Sequence, residues 1–161
     1  MEQDSAKSFH DDPMVSYIDY NRAGMPLLEI VTDPEIANPE DGKLAIKELQ
    51  DMLKALKISE ANMEEGQMRC DINISLKQKN DGAQGERVEL KNVLGIRFIE
   101  KAIEHEVRRH AKLLSSGRKI NKETRRYDAV NDRTILLRSK EEDIDYRFLV
   151  DPDLPRFSIS K

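Results

Sequence analysis

The chain has 161 residues, of which 38% are hydrophobic, 36% charged and only 5% aromatic, with no Trp, so it can bury a core but a lean one. A formal net charge of -4 excludes a whole-chain electrostatic pull toward nucleic acid, which leaves local basic patches as the route to any RNA contact. A single cysteine, Cys70, excludes an internal disulfide, and no apolar run is long enough to span a membrane.

The first eight residues are acidic and polar and read as neither a secretory signal nor an Arg-rich transit peptide. A loop carrying Asp11-Asp12-Pro13 should follow, and then the alternation Val15-Ser16-Tyr17-Ile18-Asp19-Tyr20 predicts a strand, broken by Asn21-Arg22-Ala23-Gly24. Leu27-Leu28-Glu29-Ile30-Val31-Thr32 is apolar and too short for a helix between Pro26 and Asp33-Pro34, which predicts a buried strand. Glu29 is anomalous there, because a buried carboxylate must find a cation or a proton; in the alternative reading this is an edge strand and Glu29 meets water. Asn38 as N-cap, Pro39 at the first helical position and Glu40 and Asp41 behind it open a helix over 39–57. Its stripe is Leu44, Ala45, Leu49, Met52, Leu53 and Leu56, expected to pack on a sheet.

The stretch from Asn62 to Leu76 holds the chain's most suggestive chemistry. Met68, Cys70, Ile72, Ile74 and Leu76 occupy every second position and line one face of a strand, while Arg69, Asp71, Asn73 and Ser75 line the other. Residues 87–91 alternate in the same way, with Val88 and Leu90 inward and Arg87, Glu89 and Lys91 outward. The turn-rich residues 78–85 between them predict an antiparallel pair with Asp71 and Glu89 on one shared face, neighbours across the strands standing about 5 Å apart. Such a face can bind metal, phosphate or both, or it can be a solvated face with ordinary cross-strand ion pairs. Cys70, on the inward side, reads as a small buried hydrophobe.

A second helix is predicted from Gly95 to Ser115, ended by Ser116-Gly117, with Phe98, Ile99, Ala102, Ile103, Val107, Ala111 and Leu114 as its apolar stripe. Lys101, Arg108, Arg109 and Lys112 among Glu100, Glu104 and Glu106 form its solvated side, and His105 and His110 read as surface residues. Residues 123–128 and 134–139 then predict a hairpin. Arg125, Arg126, Arg133, Arg138, Lys140 and Arg147, interleaved with Tyr127, Tyr146 and Phe148, are the one sustained basic region, suited to backbone phosphates or a nucleotide. Asp151-Pro152-Asp153-Leu154-Pro155 reads as a rigid extended exit. Together the elements predict an α+β fold, a largely antiparallel sheet with two amphipathic helices packed on it.

Four motifs in order resemble the B-subunit family of the aspartyl/glutamyl-tRNA amidotransferases: Asp19-Tyr20-Asn21-Arg22-Ala23-Gly24-Met25-Pro26-Leu27-Leu28-Glu29-Ile30-Val31; Asn62-Met63-Glu64-Glu65-Gly66-Gln67-Met68-Arg69-Cys70-Asp71-Ile72-Asn73; Glu89-Leu90-Lys91-Asn92; and Asp145-Tyr146-Arg147-Phe148 with the Asp151 to Pro155 segment. The resemblance spans nearly the whole chain and implies that residues 1–161 are part of the family's catalytic cradle domain, with the helical and C-terminal tail domains absent. It implies an ATP- and Mg²⁺-dependent ligase that phosphorylates the side-chain carboxylate of Glu misacylated on tRNA(Gln). Ammonia from glutamine hydrolysis in the amidotransferase's A-type component then gives Gln-tRNA(Gln), and a small C-type component ties the A and B types together. By the same resemblance Glu29 and Glu2 match metal-binding carboxylates, Glu64, Glu65, Asp71, Glu89 and Lys91 match catalytic pocket residues, and Arg69 and Asn73 are carried over as cofactor-binding. Gln3 departs from the pattern, standing where many members carry a second Glu, so one anionic ligand is missing or replaced by a neutral oxygen. A further Glu and His expected from an N-terminal strand lie outside this chain. The resemblance points to a mitochondrial matrix protein, with the bacterial cytoplasm as the alternative. A rival reading is a truncated, inactive fragment that only binds tRNA or a partner of the complex. In either case the isolated chain is expected to expose apolar surface and to associate.

Overall fold

A computed structural model describes residues 2–77, 85–91 and 93–139, with Glu2, Gln3 and Asp11 described in backbone alone. The chain divides into two compact units, Met1–Ala37 and Asn38–Lys161.

The first unit holds four strands in two separate pairs. β1 (Glu2–Gln3) runs antiparallel to β4 (Pro26–Leu27), with Glu2 opposite Leu27. β2 (Lys7–Asp12) runs antiparallel to β3 (Val15–Asp19), with Lys7 opposite Asp19. An Arg22 to Asp4 ion pair at 2.9 Å and the left-handed Gly24, with φ of 80°, shape the turn between β3 and β4. β3 lies where its alternation predicts, but the expected loop before it is instead the strand β2. The polar run Lys7-Ser8-Phe9-His10-Asp11-Asp12 has no apolar period to announce a strand, and its pairing comes from the tight return to β3, where the Met14 amide donates to Asp12 Oδ1 at 2.8 Å. The buried strand expected over 27–32 is also corrected: only Pro26–Leu27 is strand, and Leu28, Ile30 and Val31 are 61%, 47% and 81% exposed. An apolar run becomes a buried strand only where something covers it, and no described residue of this unit is buried.

The second unit is a four-stranded mixed sheet with a helix across it. Its strands are β5 (Ile72–Ile74), β6 (Val88–Lys91), β7 (Glu123–Asp128) and β8 (Arg133–Ser139), in that spatial order. β5 pairs antiparallel with β6, β6 parallel with β7, and β7 antiparallel with β8. The parallel step needs a crossover, supplied by α2 (Ile96–Ser115). The α+β fold read from the sequence is therefore the observed one. β5 is shorter than the expected 68–76, yet the alternation of burial extends beyond it: Met68, Cys70, Ile72 and Leu76 are half-buried and Ile74 buried, while Arg69, Asp71 and Asn73 are exposed.

The core lies between the sheet and α2. Leu90, Ile99 and Ala102 are fully buried or nearly so, Met63 and Val93 belong to the same buried cluster, and Phe98 packs on Tyr127 with ring centroids 5.9 Å apart. α1 (Pro39–Ala55) begins as its sequence predicts, with Asn38 Oδ1 accepting from the Asp41 amide at 2.9 Å. Its main packing is against α2 rather than the sheet, and Lys43 reaches Glu100 across that interface at 2.8 Å. The expected stripe is rotated in consequence: Gly42 is buried and Ala45, Ile46, Leu49 and Leu53 are half-buried, while Leu44, Met52 and Leu56 face water. Apolar surface is exposed in both units, as expected. Among the described residues no helix is long and apolar enough to cross a membrane.

Candidate functional site

Directly opposed residues in a sheet project to the same face, so strand register decides which side chains can act together. Asn73 is opposite Glu89, Glu89 opposite Thr124, and Thr124 opposite Arg138, which places all four on the face away from α2. In the next row Lys91 is opposite Arg126. Asp71, two residues before Asn73, reaches the same face, and its Oδ2 lies 2.8 Å from Lys91 Nζ. Glu89 Oε1 lies 3.3 Å from the same ammonium, and Glu89 Oε2 accepts from the Thr124 hydroxyl at 3.0 Å. Two carboxylates therefore converge on one cation, as the shared face of Asp71 and Glu89 requires. The hydrogen bond to Asp71 is the main cause that raises the Lys91 pKa above the usual lysine range, against the opposing effect of burial. Lys91 is a fixed positive charge at neutral pH rather than a base.

Glu64 and Glu65 stand apart from this cluster, in a turn over 62–68. The Glu64 amide donates to Asn62 Oδ1 at 3.0 Å, Glu65 Oε2 accepts from Gln67 Nε2 at 2.9 Å, and Gly66 takes a φ of 70° to close the turn. Glu65, Asn62 and Gln67 line a shallow depression of about 410 Å³ against Gln50 and Lys54 of α1. Arg69 is exposed, as is Asn73. Cys70 is half-buried, and burial pushes its thiol up to about 11, which suits an unreactive packing residue.

Glu29 and Glu2 belong to the first unit. Glu29 is exposed in an irregular segment, so the anomaly of a charge in a buried strand is removed and the water-facing alternative holds, though not as an edge strand. The side chain of Glu2 lies outside the described residues. A carboxylate open to water is the right donor type for Mg²⁺, but among the described residues no group of three or more His, Cys, Asp or Glu is arranged to hold a metal ion.

The face toward α2 corrects three further expectations. Glu106, expected on a solvated side, is fully buried, and so is His110. His105 is half-buried and accepts from the Thr134 amide at 3.3 Å. Arg109 grips Glu106 with two nitrogens, Nε at 3.0 Å from each carboxylate oxygen and Nη2 at 2.8 Å from Oε2. Arg125 Nε adds a contact at 3.3 Å, the Thr134 hydroxyl donates to Glu106 Oε1, and His110 Nε2 lies 3.1 Å away, poorly aimed for a hydrogen bond. Burial alone would raise the Glu106 pKa, but the contacts from His110, Arg109 and Thr134 outweigh it and hold the carboxyl at about 2. Arg125 is thus a structural ion-pair partner and Tyr127 a core residue, not members of an exposed basic strip. Arg126 and Arg138 are exposed, while Arg133 lies 3.7 Å from Asp128. Lys140, Tyr146, Arg147, Phe148, Asn92, the loop 78–84 and the exit 151–155 lie outside the described residues.

Sequence reasoning misses Thr124, because a lone Thr beside two Arg residues carries no motif; only the register with Glu89 marks it. The GatB/GatE catalytic-domain family matches residues 1–161, the entire chain. The chain belongs to that family. The B-type component of the aspartyl/glutamyl-tRNA(Asn/Gln) amidotransferase of Persephonella marina is 44% identical over 161 residues, covering all of this chain and 34% of that protein. Proteins of the same name from Coxiella burnetii and Enterococcus faecalis are 47% and 42% identical, over 96% and 99% of this chain. This GatB/GatE-type chain spans about a third of the length of the curated relatives it matches.

Proposed function

We propose that this chain is part of the catalytic cradle domain of an ATP- and Mg²⁺-dependent, B-type amidotransferase component. In this reading the full-length protein phosphorylates the side-chain carboxylate of Glu misacylated on tRNA(Gln). Ammonia released from glutamine by an A-type partner then gives Gln-tRNA(Gln), with a C-type partner joining the two. Family membership over the whole chain supports the assignment. The observation that carries it is the Lys91 ammonium, held between Asp71 and Glu89 on the sheet face away from the core.

ATP supplies the phosphoryl group, and phosphoryl transfer is catalysed mainly by positioning and charge. The residues of this chain contribute that charge: Asp71 and Glu89 orient Lys91, whose fixed positive charge offsets negative charge on a transferring group. Asn73, opposite Glu89, offers an amide to a bound ligand, and Arg69 adds a second exposed cation. Glu64 and Glu65 are proposed as pocket residues in the adjoining turn. Glu29 and Glu2 are proposed as Mg²⁺ ligands, completed by donors beyond the described residues. We also propose a mitochondrial matrix setting, with the bacterial cytoplasm as the alternative, to be decided by fractionating cells that express the full-length protein.

The test is Asp71→Asn in the full-length protein assembled with its partners. ATP-dependent formation of Gln-tRNA(Gln) should fall by at least about tenfold, since one charge-assisted bond is lost, while glutamine hydrolysis in the A-type partner continues at its basal rate. An Asp71→Asn complex with wild-type amidation would contradict the assignment of this face.

A further inference from the structure

Thr124 is 2% exposed although it sits on the sheet face away from α2, and its hydroxyl has a definite task. It donates to Glu89 Oε2 at 3.0 Å, which leaves Oε1 turned toward Lys91 Nζ at 3.3 Å. Asp71 Oδ2 takes a second N–H of the same ammonium at 2.8 Å. An ammonium has three N–H donors. Two are committed among the described residues, and the side chain is 36% exposed, so the third is open to a ligand. The ligand's charge follows from the neighbouring strand. Arg126, opposite Lys91 in the parallel register, is exposed and makes no ion pair among the described residues. Adjacent strands stand about 4.8 Å apart. Two cations side by side at that spacing match successive phosphates of a polyphosphate better than a single carboxylate.

We infer that Thr124 is a positioning residue that acts through Glu89 to fix the Lys91 ammonium, and that Lys91 and Arg126 together contact phosphate oxygens of a nucleoside triphosphate. This rests on the ATP-dependent reading above and names the side chains that receive the nucleotide.

The experiment compares Thr124→Val, Thr124→Ser and Arg126→Gln in the full-length protein assembled with its partners, reading KM and kcat for ATP and inhibition by inorganic tripolyphosphate. Thr124→Val keeps the branched shape and removes the donor. It should raise KM and the tripolyphosphate inhibition constant roughly three- to tenfold, the range of one hydrogen bond, and lower kcat at saturating ATP as well, because Lys91 also offsets charge on the transferring group. Thr124→Ser restores the hydroxyl and should behave as wild type, and Arg126→Gln should raise both constants. Wild-type constants in Thr124→Val, or equal impairment in Thr124→Ser and Thr124→Val, would overturn the inference, the second because it would mean that the methyl group matters and not the hydroxyl. If Thr124→Val fails to assemble, Glu89→Gln keeps an acceptor for Thr124 while weakening the grip on Lys91, and an unchanged KM there would overturn the inference equally. A wild-type complex that consumes no ATP would overturn the functional reading and the inference with it, whereas an active wild type with indifferent variants sinks the inference alone.

Discussion

On the α2 side of the four-stranded sheet a carboxylate is sealed from water between two arginines, while on the opposite side two carboxylates flank a lysine that water reaches. The ingredients are the same and the depth differs. Glu106 is surrounded by donors from Arg109, Arg125 and Thr134 with His110 beside them, each drawn from α2 or the β7 and β8 hairpin, so it ties helix to sheet. Lys91, Asp71 and Glu89 tie neighbouring strands within the sheet, not helix to sheet, and the Lys91 ammonium keeps hydrogen-bonding capacity toward solvent. A charge cluster with every direction filled serves the fold; one with a direction left open can serve a ligand.

The largest effect should come from breaking the sealed cluster. Glu106→Ala leaves the half-buried Arg109 and Arg125 with Glu123 alone in place of two carboxylates and should cost about 2–3 kcal/mol, measured by urea unfolding of the chain. The pH dependence sharpens this. The Glu106 pKa is held at about 2 against 4.5 for a free glutamate, so its contribution is fully present above pH 4.5 and is lost as pH falls from there toward 2. That contribution is on the order of a few kcal/mol. Glu106→Gln should flatten the stability curve over that window, and an unchanged acid transition would show that other carboxylates dominate it.

A smaller effect is expected at the start of α1. Asn38→Ala removes the cap on the Asp41 amide and should lower stability by about 1 kcal/mol, visible as a reduced urea midpoint with unchanged slope. Smaller still, Lys91→Met on the open face should change stability by less than about 1 kcal/mol, because the ion pairs it removes are solvent-screened.

Much of this contrast is legible in the sequence, and where it is not the reasons are physical. The alternation of Cys70, Ile72 and Ile74 against Asp71 and Asn73, matched by Val88 and Leu90 against Glu89 and Lys91, is enough to place the open cluster on one face. Helix α2 is equally plain, but its polar residues mislead. Ile99, Ile103, Glu106 and His110 continue a single line at steps of three and four, and that spacing alone puts Glu106 and His110 on the buried side. Charge type argues against period, because an acidic residue on a helix is ordinarily solvated; the cations that reverse that preference sit partly on β7, some twenty residues away. Grouping Arg125 with Arg126 fails for a related reason, since a strand sends neighbours to opposite faces. In residues 1–37 the failure differs. Leu28, Ile30 and Val31 have the composition of a buried strand, and composition cannot say whether a covering layer is present.

The central claim is that the open cluster works while the sealed one holds the fold, and Lys91→Met tests it most directly. The measurement is ATP-dependent Gln-tRNA(Gln) formation by the full-length protein assembled with its partners, taken with the melting temperature of the same preparation. The account expects amidation to drop by about a hundredfold or more, as when one charge-stabilising donor is removed from a reacting site, with melting unchanged within about 2 °C. A Lys91→Met complex that melts normally and amidates at the wild-type rate would contradict it.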